Sequence, residues 1–568
     1  MKIRLLSLCI ALFAMNFNTN AQTTSIPDPN FEQALIDLGY DTGTPDGSIP
    51  TTNISSITNL DVKQKNITNL TGIEDFIALQ NLNCRNNQLS SIDISQNTNL
   101  RILTLDTNSL NSLDITQLTE LEQLYIRGNN LTTINISNNT KLETFWCGNN
   151  DFTSLDTSNN TALIDFDCNN NQISSLDLSN NTSLNFLNCY LNNLTSLNTS
   201  QNTNLRTLDC TENNITALDT RTNTLLRNLF CFKNDIQTLE VGKNIEFLYC
   251  EDNQITSLDV SQNSKLEILR CYNNQISNLN LEGTTILRTL SGYNNSLTSI
   301  DVTQSTGLER LYIQNNNLTS LDVTKNTLLI DLNFSNNSIS TIDVTQAPNL
   351  EDLILTNNNV SSLDTSQNPS LIKLFFGFNN ISSLDTSNNL NLEQFICRDN
   401  QFTSLDISHL SALRALSCAN NNLTELNIRN GNNSNMLPIS GLITNPIDAT
   451  GNPNLTCIQV DDDVVNNIHP SWEKDDMAIY SIDCATASVT DYQISSQITI
   501  SPNPSKNIVF IQSPFSIQET KVYSLNGKEL NIKVSQNRSL DISALTSGIY
   551  LLKIKTDKGI GMKKIIKE

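Results

Sequence analysis

Residues 245–265 read IEFLYCEDNQITSLDVSQNSK, and the 21 residues after them read LEILRCYNNQISNLNLEGTTI. Leucine or isoleucine, a cysteine and an asparagine recur at matching places in both. The same skeleton runs from Leu79 to Leu413 in steps of 21 residues, with one step of 19 between Leu226 and Ile245. A repeat of this length cannot bury its apolar face alone, so successive repeats must stack and share one elongated core. At 568 residues the chain is also too long for a single ordinary core.

Within each unit the pattern is L-x-x-L-x-C/L-x-x-N-x-L/I-x-x-L-D, which predicts one short strand per turn of a parallel solenoid. The asparagine eight residues after the first leucine, as in Asn87, Asn253 and Asn421, occurs in all 17 regular units. Its amide both donates and accepts, so it can satisfy backbone where the chain leaves the strand. A degenerate first unit at 57–78 brings the array to about 18. The pattern matches the leucine-rich repeat and resembles its 21-residue bacterial class, which implies extended structure on the convex side. The expected fold is a β-rich solenoid over 57–433 with a parallel sheet on its concave face.

Both ends of such an array need lids. DPNFEQALIDLG (28–39) sets Phe31, Leu35, Ile36 and Leu38 on one helical face, predicting a helical cap within 23–56. After 433 the period is lost, and residues 434–488 read as the C-terminal cap. Cys457 and Cys484 lie there, outside the ladder and around Trp472, and are expected to form a stabilising disulfide.

Residues 1–22 carry Lys2 and Arg4, an apolar run and then Thr19 and Ala21 at cleavage-site spacing, so they read as a secretory signal. No later stretch has the ~18 consecutive apolar residues of a spanning helix. The net charge of -23 argues against nucleic acid as a partner. Residues 489–568 reverse the sign, with 11 Lys and Arg against 6 Asp and Glu, and mark a second module.

Ten cysteines, including Cys147, Cys250 and Cys418, share one phase of the repeat and exchange there with Leu and Ile, so they read as small core residues. An Asp column, with Asp114, Asp156 and Asp177 among its members, admits two readings: stacked calcium ligands, or caps of their own turns. With two histidines in the chain and no nucleophile-plus-base pattern, neither an enzyme nor a cofactor is expected.

Side chains alternating with the buried Leu and Cys face the concave side. These phases hold Phe230, Phe232, Phe247, Tyr249, Glu251, Arg270, Tyr272, Tyr293, Arg310 and Tyr312, with Tyr125, Arg127 and Trp146 to one side and Phe375 with Phe378 to the other. Such a stripe marks either a contact site for a protein or glycan, or rings packed on one another as cross-strand pairs.

The tail reads as short strands with Gly and Asn-Gly turns, a small β-sandwich. Four of its motifs lie in order: Ser501-Pro502-Asn503-Pro504, VYSLNGK with Gly527, LDISALTSGIYLLKI with Gly548 and Tyr550, and Lys563-Lys564-Ile565-Ile566-Lys567. They resemble the type A C-terminal sorting domain of the Bacteroidetes type IX secretion system. The resemblance implies passage across the outer membrane through that machinery, tail cleavage, and release or attachment to surface lipopolysaccharide. The opening IPDPNFEQALIDLGYD and the closing NPNLTCIQVDD resemble those of Bacteroidetes leucine-rich-repeat surface proteins, several of which are adhesins. Together these point to an exported binding protein at the cell surface; the alternatives are a structural spacer or, less in keeping with the residues, a hydrolase accessory.

Overall fold

A computed structural model describes residues 22–438, 444–484, 494–532, 535 and 538–568, so the expected signal segment lies outside it apart from Gln22. The chain divides into two compact units, Met1–Ile342 and Asp343–Glu568, described in turn.

In the first unit each rung holds a strand of three residues. The middle one, as in Leu248 or Phe166, is buried and the outer two, as in Phe247 and Tyr249, face outward. Adjacent rungs pair in parallel and in register, so Asp167, Asn188, Asp209, Phe230 and Tyr249 form one column. The 19-residue step leaves this register intact, because the convex turn gives up the residues. There Gly242 lies so near the Thr220 carbonyl that a β-carbon would stand 2.8 Å from it.

The asparagine ladder is what joins the rungs. Asn253 Oδ1 accepts the Ile236 N–H at 2.9 Å, while its Nδ2 donates to the carbonyls of Cys231 at 3.0 Å and Cys250 at 3.1 Å. The residue before each ladder asparagine is left-handed, as in Asn149 (φ 56), Asp252 (φ 54) and Asn294 (φ 53). Asn and Asp tolerate that conformation best among residues with a side chain, which accounts for the many Asn-Asn doublets. A second, fully buried set lines the convex half: Asn139 Nδ2 donates to the carbonyls of Ile115 at 3.1 Å and Leu118 at 2.7 Å.

The N-terminal cap is the helix Pro29–Asp37, which buries Phe31, Ala34 and Leu35 and stacks Phe31 on Phe76. Asp28 starts it, with Oδ1 accepting from the N–H groups of Asn30 and Phe31, and its Oδ2 accepts from Thr68 and Asn69 of the first rung. Leu38, expected on the apolar face, is instead 44% exposed because the helix has ended and Leu38 occupies its C-cap.

In the second unit the concave strands Asp352–Ile354, Lys373–Phe375, Gln394–Ile396 and Ala415–Ser417 continue in parallel. The segment read as a cap adds two more, Ile447–Ala449 and Glu473–Lys474, and two convex strands, Cys457–Gln459 and Ile479–Ser481. Loss of the 21-residue period thus does not end the ladder, since rung pairing needs only an extended backbone and tolerates longer turns. Cys457 and Cys484 are joined in a disulfide, and Trp472 is buried with its Nε1 donating to the Met436 carbonyl at 2.9 Å.

The tail forms two antiparallel sheets. One holds Thr499–Ser501, Ile508–Gln512 and Ser539–Asp541; the other holds Glu529–Leu530, Ile517–Ser524, Gly548–Thr556 and Gly559–Lys567. Val509, Leu540, Leu552 and Ile565 share the core between them.

Candidate functional site

The concave face of the first unit takes its chemistry from three outward phases per rung: the two ends of the strand and the residue two beyond it. The expected stripe resolves into separate groups. Phe230 meets Tyr249 with centroids 5.0 Å apart, and Tyr272 lies on Tyr293 at 4.3 Å with the planes 8° from parallel. The Arg270 guanidinium sits 4.3 Å from the Tyr249 ring centre. Nearer the N-terminus, Tyr125 and Trp146 meet edge to face at 5.1 Å, with Arg127 4.3 Å from the Trp146 ring centre. Among the described residues Phe232 and Phe247 enter no ring pair. All these rings are half-buried.

One expected member of the wet surface is corrected. Glu251 is 4% exposed, because the neighbouring side chains close over a residue two positions beyond the strand. Burial, above all, pushes its carboxyl above the ordinary range. Burial likewise, with the Glu251 charge second, pushes the Tyr272 hydroxyl up to about 12. Arg310 and Tyr312 are tied to one partner, Asp331 Oδ2, at 3.0 and 2.9 Å.

Reading the sequence for rings alone passed over the carboxylates at the same phases. Asp165 Oδ1 accepts the Trp146 Nε1–H at 3.0 Å. Asp167 is 7% exposed, and burial raises both its carboxyl and that of Asp209. Listing every residue at the ring phases would have found all three.

On the convex side each Asp caps its own turn. Asp114 Oδ1 accepts from the N–H and Oγ1 of Thr116 at 2.9 and 2.6 Å, and Asp322 does the same with Thr324. These bonds hold the carboxyls below their ordinary range. Among the described residues no group of three or more His, Cys, Asp or Glu is placed to hold a metal ion. The ladder cysteines are free and buried, and burial pushes their thiols upward, that of Cys271 to about 12, so they stay protonated and unreactive.

In the tail, motifs 61 residues apart meet: Asn503 Nδ2 donates to the Lys564 carbonyl at 2.7 Å, and its Oδ1 accepts the Ile566 N–H at 2.7 Å. Pro502 and Pro504 flank this clamp on the edge of the terminal strand, and Lys563 and Lys564 lie on that strand. Gly527 supplies the positive φ of the turn between Ser524 and Lys528. Gly548 opens the long strand, on which Tyr550 is buried with its hydroxyl donating to the Thr546 carbonyl at 2.8 Å.

Residues 499–568 match the family model described as the secretion system C-terminal sorting domain. No curated protein sequence matches the chain. Among solved structures, YopM from Yersinia enterocolitica shares 21% identity over 80% of this chain and 99% of its own, with a TM-score of 0.53. The plant peptide hormone receptor RGFR1, solved in complex with RGF2, shares 18% over 74% and 89%, with a TM-score of 0.55. The functional domain of InlJ from Listeria monocytogenes, described as including a cysteine ladder, shares 24% over 96% and 99% at a TM-score of 0.46. The fold is therefore that of a leucine-rich-repeat solenoid, and it is followed by a secretion-system sorting domain. Among the described residues no helix is long and apolar enough to cross a membrane.

Proposed function

We propose that this chain is an exported binding protein, delivered by a type IX secretion system and displayed on or released from the cell surface, whose concave face holds a macromolecular ligand. It performs no catalysis of its own in this reading. The observation that carries it is Arg270: its guanidinium lies over the Tyr249 ring at 4.3 Å from the ring centre, is exposed, and makes no ion pair among the described residues. A preorganised arginine amid half-buried rings has the composition of a binding hot spot. RGFR1, a solenoid of related fold, was solved with a peptide hormone, and the analogy is one of fold alone.

The test is a binding screen of the protein against cell-surface proteins and polysaccharides, beside a variant with Tyr249, Tyr272 and Tyr293 all changed to Ala. A ligand lost in the variant, with the thermal transition kept within a few degrees, supports the reading. Loss of both together means that the rings serve packing, and no ligand at all favours a spacer. Export is tested by removing residues 563–568: the protein should then stay in the periplasm, and normal surface display sinks the sorting role.

A further inference from the structure

Resting on the concave-face reading, the carboxylates give that face a ligand class. Asp167 and Asp209 stand two rungs apart in one column, and Glu251 lies two rungs further and one column over, two residues past Tyr249 on the same face. At ~4.8 Å per paired strand, each two-rung step is about 10 Å along the ladder.

None of the three makes a close ion pair among the described residues, although the nearby Arg127 charge favours ionised Asp167 and the Arg270 charge favours ionised Glu251. Arg127 is bonded to Asp106 at 2.9 Å and lies over Trp146, and Arg270 lies over Tyr249. Glu251 is the most exacting case: Tyr272 approaches its Oε1 at 3.5 Å, and its buried Oε2 has no hydrogen-bond partner. Asp167 and Asp209 each accept one backbone N–H, from Asn169 and Thr211, whereas a buried carboxylate oxygen without a partner, as in Glu251, is costly and hard to account for by folding alone. Rings flank the acids, with Trp146 one rung before Asp167 and Phe230 and Tyr249 after Asp209, and such rings can pack the aliphatic stem of a basic side chain.

The spacing narrows the ligand further. A polypeptide in the polyproline-II conformation advances ~3.1 Å per residue with about three residues per turn, so every third side chain returns to one face at about 9 Å, close to two rungs. We infer that the concave face of the first unit binds a polyproline-II polypeptide segment bearing lysine or arginine at every third residue. The basic heads sit against Asp167, Asp209 and Glu251, and their stems lie along the rings. A neutral or acidic glycan would leave these carboxylates without a counter-ion.

The experiment uses the full chain and a fluorescent peptide of repeated lysine-serine-threonine triplets, compared with a peptide of equal composition whose lysines are bunched at one end. The triplet peptide should bind about tenfold tighter than the bunched one. The isosteric variant D167N/D209N/E251Q should lose about tenfold of that affinity. The convex variant D114N/D156N/D177N, which removes as much charge elsewhere, should keep it. Equal binding of both peptides, or equal loss in both variants, overturns the inference in favour of diffuse attraction to an acidic protein. A ligand from the screen that the tyrosine variant loses and D167N/D209N/E251Q retains also overturns it, while leaving the concave face as a binding site. The unliganded D167N/D209N/E251Q protein should melt no lower than wild type; a lower transition makes the carboxylates structural and overturns the inference as well.

Discussion

The two faces of the solenoid carry the same acid in opposite conditions. On the convex side, Asp114 is exposed and receives two bonds from Thr116, so its charged form is favoured. On the concave side, Asp167 receives one backbone N–H, from Asn169, and is covered by its neighbours, so its charged form is disfavoured. The convex acid recurs through most rungs, whereas the concave column holds acids at Asp167 and Asp209 between Asn188, Phe230 and Tyr249. The structural column is thus the regular one, and solvation separates the two.

The comparison can be broken most severely through the ladder that both faces share. Asn253→Ala removes one acceptor and two donations from a residue 8% exposed, stranding the Ile236 N–H and leaving the Cys231 and Cys250 carbonyls with one amide donor each, from Asn234 and Asn274. It should cost about 3 kcal/mol in urea unfolding. A loss under about 1 kcal/mol would mean that the rungs hold together without it.

Neutralising the concave acids should have a smaller effect of opposite sign. Their folded pKa values are raised, so on raising the pH the unfolded chain loses these protons first, near 3.9 for Asp, and folding is penalised from there through the raised values upward. D167N/D209N/E251Q should therefore stabilise the protein at neutral pH by about 1–2 kcal/mol. The gain should vanish in acid, which a series of melts across pH would read.

The smallest change is expected on the convex side. The folded pKa values of Asp114, Asp156 and Asp177 are lowered by hydrogen bonds from Thr116, Ser158 and Ser179, so their contribution is present above the unfolded value and lost as the pH falls through the folded one. D114N/D156N/D177N should melt slightly lower than wild type at neutral pH and indistinguishably from it in acid. A rise at neutral pH would show that mutual repulsion along the column outweighs the caps.

Much of this was legible in the sequence because a repeat states its own periodicity. The buried phases of Leu248 and Cys250, the outward phases of Phe247 and Tyr249, and the ladder role of Asn253 all follow from alternation and chemistry. Less legible was the left-handed residue before each ladder asparagine, although the Asn-Asn doublets carried that signal. Glu251 was misplaced because phase gives direction and not depth. Whether an outward side chain is wet depends on the bulk of the residues on adjacent rungs.

By itself the sequence determined the solenoid, its core columns and the order of motifs in the tail, since each rests on local spacing that stacking multiplies. Tertiary structure alone decided what lies between rungs: which rings meet, which arginine is bonded to a carboxylate and which rests on a ring, and which acids lose their water. It also brought Asn503 to the backbone of Lys564 and Ile566. The physical reason is that pairing, desolvation and ion pairing depend on distances across the ladder, where residues about 21 apart in sequence are ~4.8 Å apart in space.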